Sequence, residues 1–191
     1  MDDEKTILER VRAGDRRAFG QLIDLHKDGA FTLALRILAS REEAEETVQD
    51  AFLRAHRGLA EFRGESRFGT WLYRIVFNLS MTRVKRRRAP AESLDALPAE
   101  PADIVRETDG TGILERLERQ EAADLLAQGL AKLPEHYRVA VELFYLQEQS
   151  YEEIATIMAI PMGTVKTYLF RARARLKVLL ADAVNEDVRA A

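Results

Sequence analysis

The sequence predicts an all-α protein: two small helical domains joined by a flexible acidic linker. Three observations carry this reading. Nearly every apolar run repeats at helical spacing, and strand-like alternation is nearly absent. Helix-capping patterns recur at Asp15, Ser40 and Ser150. Between them the apolar period stops from Ala89 to Gly112, where Pro90, Pro98, Pro101, Gly110 and Gly112 accompany acids at 92, 95, 100, 103, 107 and 109.

The first domain is expected over residues 1–88. Asp15 is placed to cap a helix carrying Phe19, Leu22 and Ile23, with Leu35 and Leu38 further on. Ser40 and Glu43 have capping-box spacing, and the helix they open puts Val48, Phe52, Ala55 and Leu59 on one face. Gly58 and Gly64 bracket a loop. From about Phe68 a further helix carries Trp71, Leu72, Ile75, Val76 and Leu79. Residues 89–112 read as linker, since a structureless stretch of that length is unusual inside one compact domain.

The second domain, 113–191, restarts with Leu114, Leu117, Leu125, Leu126 and Leu130. Pro134 sits at a first-turn position of the next helix. Ser150 and Glu153 form a second capping box, followed by Ile154, Ala155 and Met158. Then "IPMG" predicts a tight turn, with Pro161 ending one helix, Gly163 at the corner and Thr164 capping the next. On that last helix Val165, Leu169, Ala172 and Leu176 share one face. The opposite face shows Lys166, Thr167, Phe170 and Arg171, and no acid occurs between Thr164 and Leu180. A helix of this size, rich in cations and holding an aromatic and a hydroxyl, suits the major groove of duplex DNA.

The formal charge of −3 conceals a strong separation. "RVKRRR" (Arg83, Lys85, Arg86, Arg87, Arg88) is one basic block, and Lys166, Arg171, Arg173, Arg175 and Lys177 form another. Acids collect at 42–50 and in the linker. Such a chain binds bare DNA weakly by itself, because non-specific affinity grows with the phosphates neutralised. The stretch "EFRGESRFGTWLYRIVFNLSMTRVKRRR" sets aromatics beside cations and an amide, the chemistry by which single strands are stacked and read. Trp71 fits the apolar face of its helix. Phe62, in a polar loop, is the better stacking candidate.

Cysteine is absent, which removes disulfides and thiol chemistry. No run approaches the roughly 18 apolar residues of a membrane span. The N-terminus is charged from its second residue, unlike a signal peptide. A cytoplasmic protein without membrane insertion is expected. The three histidines are scattered, and the carboxylates at 42, 43, 45, 46 and 50 spread around their helix. No phosphate-binding Gly-rich loop or nucleophile elbow occurs. Neither an enzyme, such as a metal-dependent nuclease, nor a cofactor site is expected.

Two long stretches, "AEETVQDAFLRAHRGLAEFRGESRFGTWLYRIVFN" and "LAKLPEHYRVAVELFYLQEQSYEEIATIMAIPMGTVKTYLFRARARL", in this order and spacing, resemble the bacterial extracytoplasmic-function (ECF) sigma factors of the sigma-70 family. The resemblance implies a σ2-like first domain and a σ4-like second one. It implies binding to core RNA polymerase, recognition of a −35 element as duplex, and opening and capture of a −10 element. Glu46, Gln49, Asp50 and Arg54 fall where the family grips polymerase. Phe62, Gly64, Ser66, Tyr73 and Asn78 fall in the loop and pocket for the melted −10 strand. Lys166, Thr167, Phe170, Arg171 and Arg173 fall on the −35-reading helix. Thr47, His56 and Tyr168 depart from the family pattern. An anti-sigma factor is an implied partner, and the linker's charge implies a path along the polymerase's basic channel. The alternative is a helix-turn-helix regulator that binds duplex DNA without polymerase. It accounts for residues 113–180 and leaves the acidic helix and the aromatic-basic stretch unexplained.

Overall fold

The computed structural model describes residues 4–88 and 126–190. The first lobe contains α1 (Glu4–Arg12), α2 (Arg16–Leu38), α3 (Arg41–Gly58) and α4 (Phe68–Arg88). The second begins with a short helix, α5, at 126–131. Next come α6 (Glu135–Val141), which runs on into a π-helical turn (Glu142–Leu146), then α7 (Tyr151–Met158) and α8 (Met162–Ala190). No strand occurs among the described residues. The linker reading and the restart at 113–125 lie outside them.

The expected caps are in place. Asp15 Oδ1 accepts from the backbone N–H groups of Arg17 (2.9 Å) and Ala18 (3.3 Å), which α2 otherwise leaves unpaired. Arg10 grips the other oxygen at 2.7 Å, joining α1 to this cap. Helix α2 stops at Ala39, whose left-handed backbone (φ 52°) returns its N–H to the Leu35 carbonyl. Ser40 then caps α3. Leu22, Leu33, Leu38, Phe68, Leu72 and Val76 are fully buried between these helices.

Helix α1 was not anticipated. It buries Ile7, and Glu4 reaches across to α4, accepting from the Phe68 N–H at 3.1 Å and meeting His26 Nε2 at 2.7 Å. A side chain from the first helix therefore supplies an N-terminal partner to the fourth.

In the second lobe Leu143, Ile154, Ile157, Val165, Leu169 and Ala172 close the core. Both halves of the Ser150–Glu153 capping box are formed. The corner differs from expectation. Its left-handed residue is Ala159 (φ 54°), and α8 starts at Met162, so Gly163 and Thr164 lie inside the helix. Pro161 is the cause: its fixed φ suits a helix start, and its carbonyl accepts from Thr164 and Val165. Pro134 likewise stands at the cap of α6, one position before the expected first turn.

The lobes pack together, α4 against α7 and α2 against α6 and the π-helical turn. Polar groups join them. Tyr73 donates to Gln147 Oε1 at 2.9 Å, Arg67 pairs with Glu153, and Arg36 lies 3.4 Å from the buried Glu142. Burial pushes the Glu142 carboxyl up, against opposing contacts from Gln147 and Arg36. Gly29 makes this approach possible. A Cβ there would lie 2.2 Å from Gln147 Oε1 and 2.3 Å from the Tyr73 hydroxyl.

Two stability measurements check this packing. Thr47 is fully buried and its hydroxyl has no hydrogen-bond partner. Thr47→Val should stabilise the chain by about 1 kcal/mol, raising the melting temperature by roughly 2–4 °C; an unchanged or lower value means that water serves the hydroxyl. The His26 contact holds the Glu4 carboxyl below its ordinary value, against the opposing effect of burial. Its contribution is therefore complete above the unfolded pKa and is lost as pH falls through the depressed folded value. Glu4→Gln should cost about 1 kcal/mol at pH 6 in urea unfolding, with the gap closing near pH 3. An equal gap at both pH values would show that the carboxylate's charge contributes nothing.

Candidate nucleic-acid interface

The α7–turn–α8 unit presents the most exposed cationic helix face. Val165, Leu169 and Ala172 are buried, which turns Lys166 and Arg173 to solvent and leaves Thr167, Phe170 and Arg171 half-buried. Tyrosines hold the cations in place. Arg173 Nε donates to the Tyr145 hydroxyl at 2.7 Å, with its guanidinium over that ring. Arg171 lies 3.5 Å from the Tyr137 hydroxyl, and Arg175 sits over the Tyr137 ring. Sequence reasoning missed Tyr137 and Tyr145 as supports, since nothing local ties them to α8. Tyr168 packs between His136 and Tyr137, on the α6 side of α8. Burial raises its phenol.

In the first lobe the structure reverses the expected exposure of Phe62, while Trp71 packs against the core as its helical spacing suggested. Phe62 is buried, 8% exposed, while Trp71 is half-exposed. Phe62 stacks on Trp71 (4.9 Å between centroids) and meets Phe68 edge-on. Arg12 roofs it, donating to the Phe62 carbonyl with its guanidinium over the ring. The polar loop suggested exposure, but α1 covers it. Phe62 here backs Trp71, which also meets Phe68 and is half-buried.

The other loop and pocket candidates separate. Gly64 takes a left-handed φ of 76° at the exposed bend, and Ser66 is half-buried beside it. Tyr73 is buried beneath the second lobe, its phenol pushed up to about 12 by burial and then by the Glu4 and Glu142 charges. Asn78 is exposed five residues further along α4, about 140° around the helix from Tyr73.

Helix α3 buries Ala44, Val48, Ala51, Phe52 and Ala55, leaving Glu46, Gln49, Asp50 and Arg54 exposed with Leu53 among them. His56 is exposed, edge-on to Phe19. The basic block at the end of α4 is divided. Arg83 spans Glu46 (2.8 Å) and Asp50 (3.4 Å), and Arg87 binds Glu43 and the last α2 carbonyl, Leu38 (3.0 Å). Lys85 and Arg86 are exposed; Arg88 ends the helix. Part of the cationic block thus neutralises the acidic face.

A further cluster escaped the sequence reading. Glu153 Oε1 accepts from Arg67 Nε (2.8 Å) and lies 3.0 Å from the Thr70 hydroxyl, while Oε2 accepts from Arg67 Nη2 (2.9 Å) and from the Ser150 N–H (2.8 Å). Burial pushes this carboxyl up, and those donors more than offset it, so it stays below its ordinary value. The capping box was the only sequence signal, and it explains only the Ser150 contact.

Comparison with known proteins accounts for both lobes. The sigma-70 region 2 family matches residues 22–89, and the sigma-70 region 4 family matches residues 123–176. The ECF RNA polymerase sigma factor SigW of Bacillus subtilis is 36% identical over 93% of this chain and 97% of its own. The ECF RNA polymerase sigma-E factor of Escherichia coli K12 is 35% identical, over 89% of this chain and 90% of its own. Among solved structures, the sigma factor RpoE in complex with the anti-sigma factor NepR from Bartonella quintana superposes with a TM-score of 0.64, at 26% identity, over 85% of this chain and 96% of that one. CnrH in complex with the cytosolic domain of CnrY gives 0.67 at 25% identity, over 95% and 99%. Matched in both lobes, in order and over nearly its whole length, the chain belongs to the ECF group of sigma-70 family RNA polymerase sigma factors.

Proposed function

We propose that the chain directs core RNA polymerase to its promoters through three surfaces. Glu46, Gln49, Asp50 and Arg54 on α3 dock on the polymerase. Lys166, Thr167, Phe170, Arg171 and Arg173 on α8 read a −35 element in the major groove. The loop from Phe62 through Ser66, with Trp71, Asn78 and, once the second lobe uncovers it, Tyr73, takes the melted −10 strand, and Lys85 and Arg86 meet nearby phosphates. The observation that carries this reading is the family match in both lobes, in order, with the acidic helix and the cationic helix each on its own exposed face. A regulator acting without polymerase has no use for the first lobe.

Energetics favour shared work. Extracting a base from the stack costs a few kcal/mol, and stacking returns about 1–3 kcal/mol per base. A small lobe alone barely breaks even. Anchoring on polymerase and at −35 raises the effective concentration of the second contact without adding to it. Internal pairing of Arg83 and Arg87, with the net charge of −3, keeps the free chain off bulk DNA. The chemistry of transcription then belongs to the polymerase, and the chain acts in the cytoplasm; no helix among the described residues is long and apolar enough to cross a membrane. An anti-sigma factor is the expected inhibitor, a role supported by the complex of RpoE with the anti-sigma factor NepR and by exposed Leu25, Leu53, Tyr145 and Leu146.

Run-off transcription with core polymerase and a promoter library tests the reading: the chain should start transcripts from a defined promoter class, and silence there would remove it. In the same system Asp50→Arg should weaken core binding while leaving duplex −35 binding intact. Normal core affinity would take the docking surface off α3. Arg171→Ala should cost about 1–3 kcal/mol of discrimination at one −35 base, read by competition between promoter variants. An equal loss on every sequence would reassign Arg171 to phosphate.

A further inference from the structure

The Arg67–Thr70–Glu153 cluster has a geometry that the functions assigned above do not use. Arg67 presents the Nε–Nη2 edge of its guanidinium to both oxygens of one carboxylate, at 2.8 and 2.9 Å. That fork fits a carboxylate and a phosphate alike. The Thr70 hydroxyl adds a third group, 3.0 Å from the same carboxylate. Both residues lie between Ser66 and Trp71, within the stretch assigned to the single strand, and Arg67 is one helical turn before Trp71.

We propose that Arg67 and Thr70 form a phosphate-binding fork for the backbone of the captured single strand, and that in the free chain Glu153 occupies this fork as an internal competitor. The proposal rests on the strand-capture role given above. Occupation is exclusive on charge and on space. Thr70 is 1% exposed, its hydroxyl placed between Glu153 Oε1 at 3.0 Å and Gln149 Oε1 at 3.1 Å, both from the second lobe. The adjoining interlobe cleft, of about 330 Å³, is lined also by Glu65 and Glu152, which repel a phosphodiester. Arg67 is exposed even in the closed arrangement, but a strand reaches Thr70 and the carboxylate-filled edge of the guanidinium only when α7 leaves α4. Glu153 loses nothing as a cap on leaving, because its bond to the Ser150 N–H lies within its own lobe. Closure and strand capture thus compete for the same donors, and whatever separates the lobes arms the site.

The test uses the full chain and a fluorescein-labelled pool of single-stranded DNA of random sequence. Glu153→Gln keeps the capping box, which accepts Gln, and removes the charge. It should tighten strand binding roughly tenfold, the equivalent of one charge-assisted hydrogen bond. Gly29→Ala crowds Gln147 of the second lobe and breaks its bond to Tyr73 without changing any charge, which loosens the lobe contact at a second point and should tighten binding in the same direction. Adding Arg67→Gln to either variant should abolish the gain and reduce the slope of log affinity against log salt by about 0.7, one phosphate contact on a single strand. Arg67→Lys should restore the slope but only part of the affinity, since it keeps the charge and loses the fork. A salt slope indifferent to Arg67→Gln overturns the phosphate role, and binding no tighter in Glu153→Gln overturns the competition. Run-off transcription by wild type and core polymerase separates the two levels. Transcripts with an indifferent Arg67 sink the fork alone; no transcripts from wild type remove the strand-capture reading and the fork with it.

Discussion

The arrangement depends on one carboxylate held by two lobes. Glu153 completes the cap of α7, an interaction local to its own chain segment, and with the same two oxygens holds Arg67 and Thr70 on α4 and the loop before it. The neighbouring bonds, Tyr73 to Gln147 and Arg36 to Glu142, are also polar. A hydrogen bond exchanged for water changes free energy by about 1 kcal/mol, whereas opening an apolar core exposes area that water cannot repay. These polar bonds fix the register, and the single hydrophobic cluster that runs through both lobes gives their separation a cost that a partner must meet. That combination suits a chain whose lobes must meet different partners.

The same economy governs the distribution of charge. Arg83 and Arg87 are turned onto the acids of α3 and the end of α2, so the cationic block and the acidic face partly cancel inside one lobe. Arg173 and Arg175 lie against tyrosine rings, which orient cations without neutralising them. The first lobe is therefore electrostatically restrained, and the second presents Lys166 and Arg173 on a prearranged face. On the proposed assignment, duplex binding falls to α8, while the first lobe relies on geometry and on a partner that brings it to the strand.

Local features were legible in the sequence. Asp15, Ser40 and Ser150 announced helix starts because a cap is chemistry between residues two or three apart. The buried face of α8 followed from a repeat in Val165, Leu169 and Ala172. Helix α1 was overlooked although Ile7, Leu8 and Val11 stand at helical spacing, because three apolar positions in nine mostly charged residues are a short signal. The lobe contact was invisible for a different reason: its partners stand 74 to 106 residues apart and are polar, so no pattern links them. Phe62 was misjudged because a polar loop says nothing of the helix that covers it. The division of "RVKRRR" was available from period alone. Arg83 and Arg87 are one turn apart, Val84 points inward, and Lys85 and Arg86 face elsewhere.

A partner shifts an equilibrium between two arrangements only through its differential affinity for them. In the closed chain Tyr73 and Thr70 are covered, whereas Glu46, Gln49, Asp50, Arg54 and Lys166 remain exposed. A ligand of the acidic face or of α8 alone, making the same contacts in both arrangements, therefore leaves the lobes where they are. One that holds both faces at a separation the closed chain cannot reach draws the lobes apart. Two weak contacts on a fixed scaffold supply that difference, because the second is lost unless the lobes open. On the proposed assignment, the strand-facing groups become available only where duplex anchor and docking surface are engaged together, a condition set by which faces the fold covers.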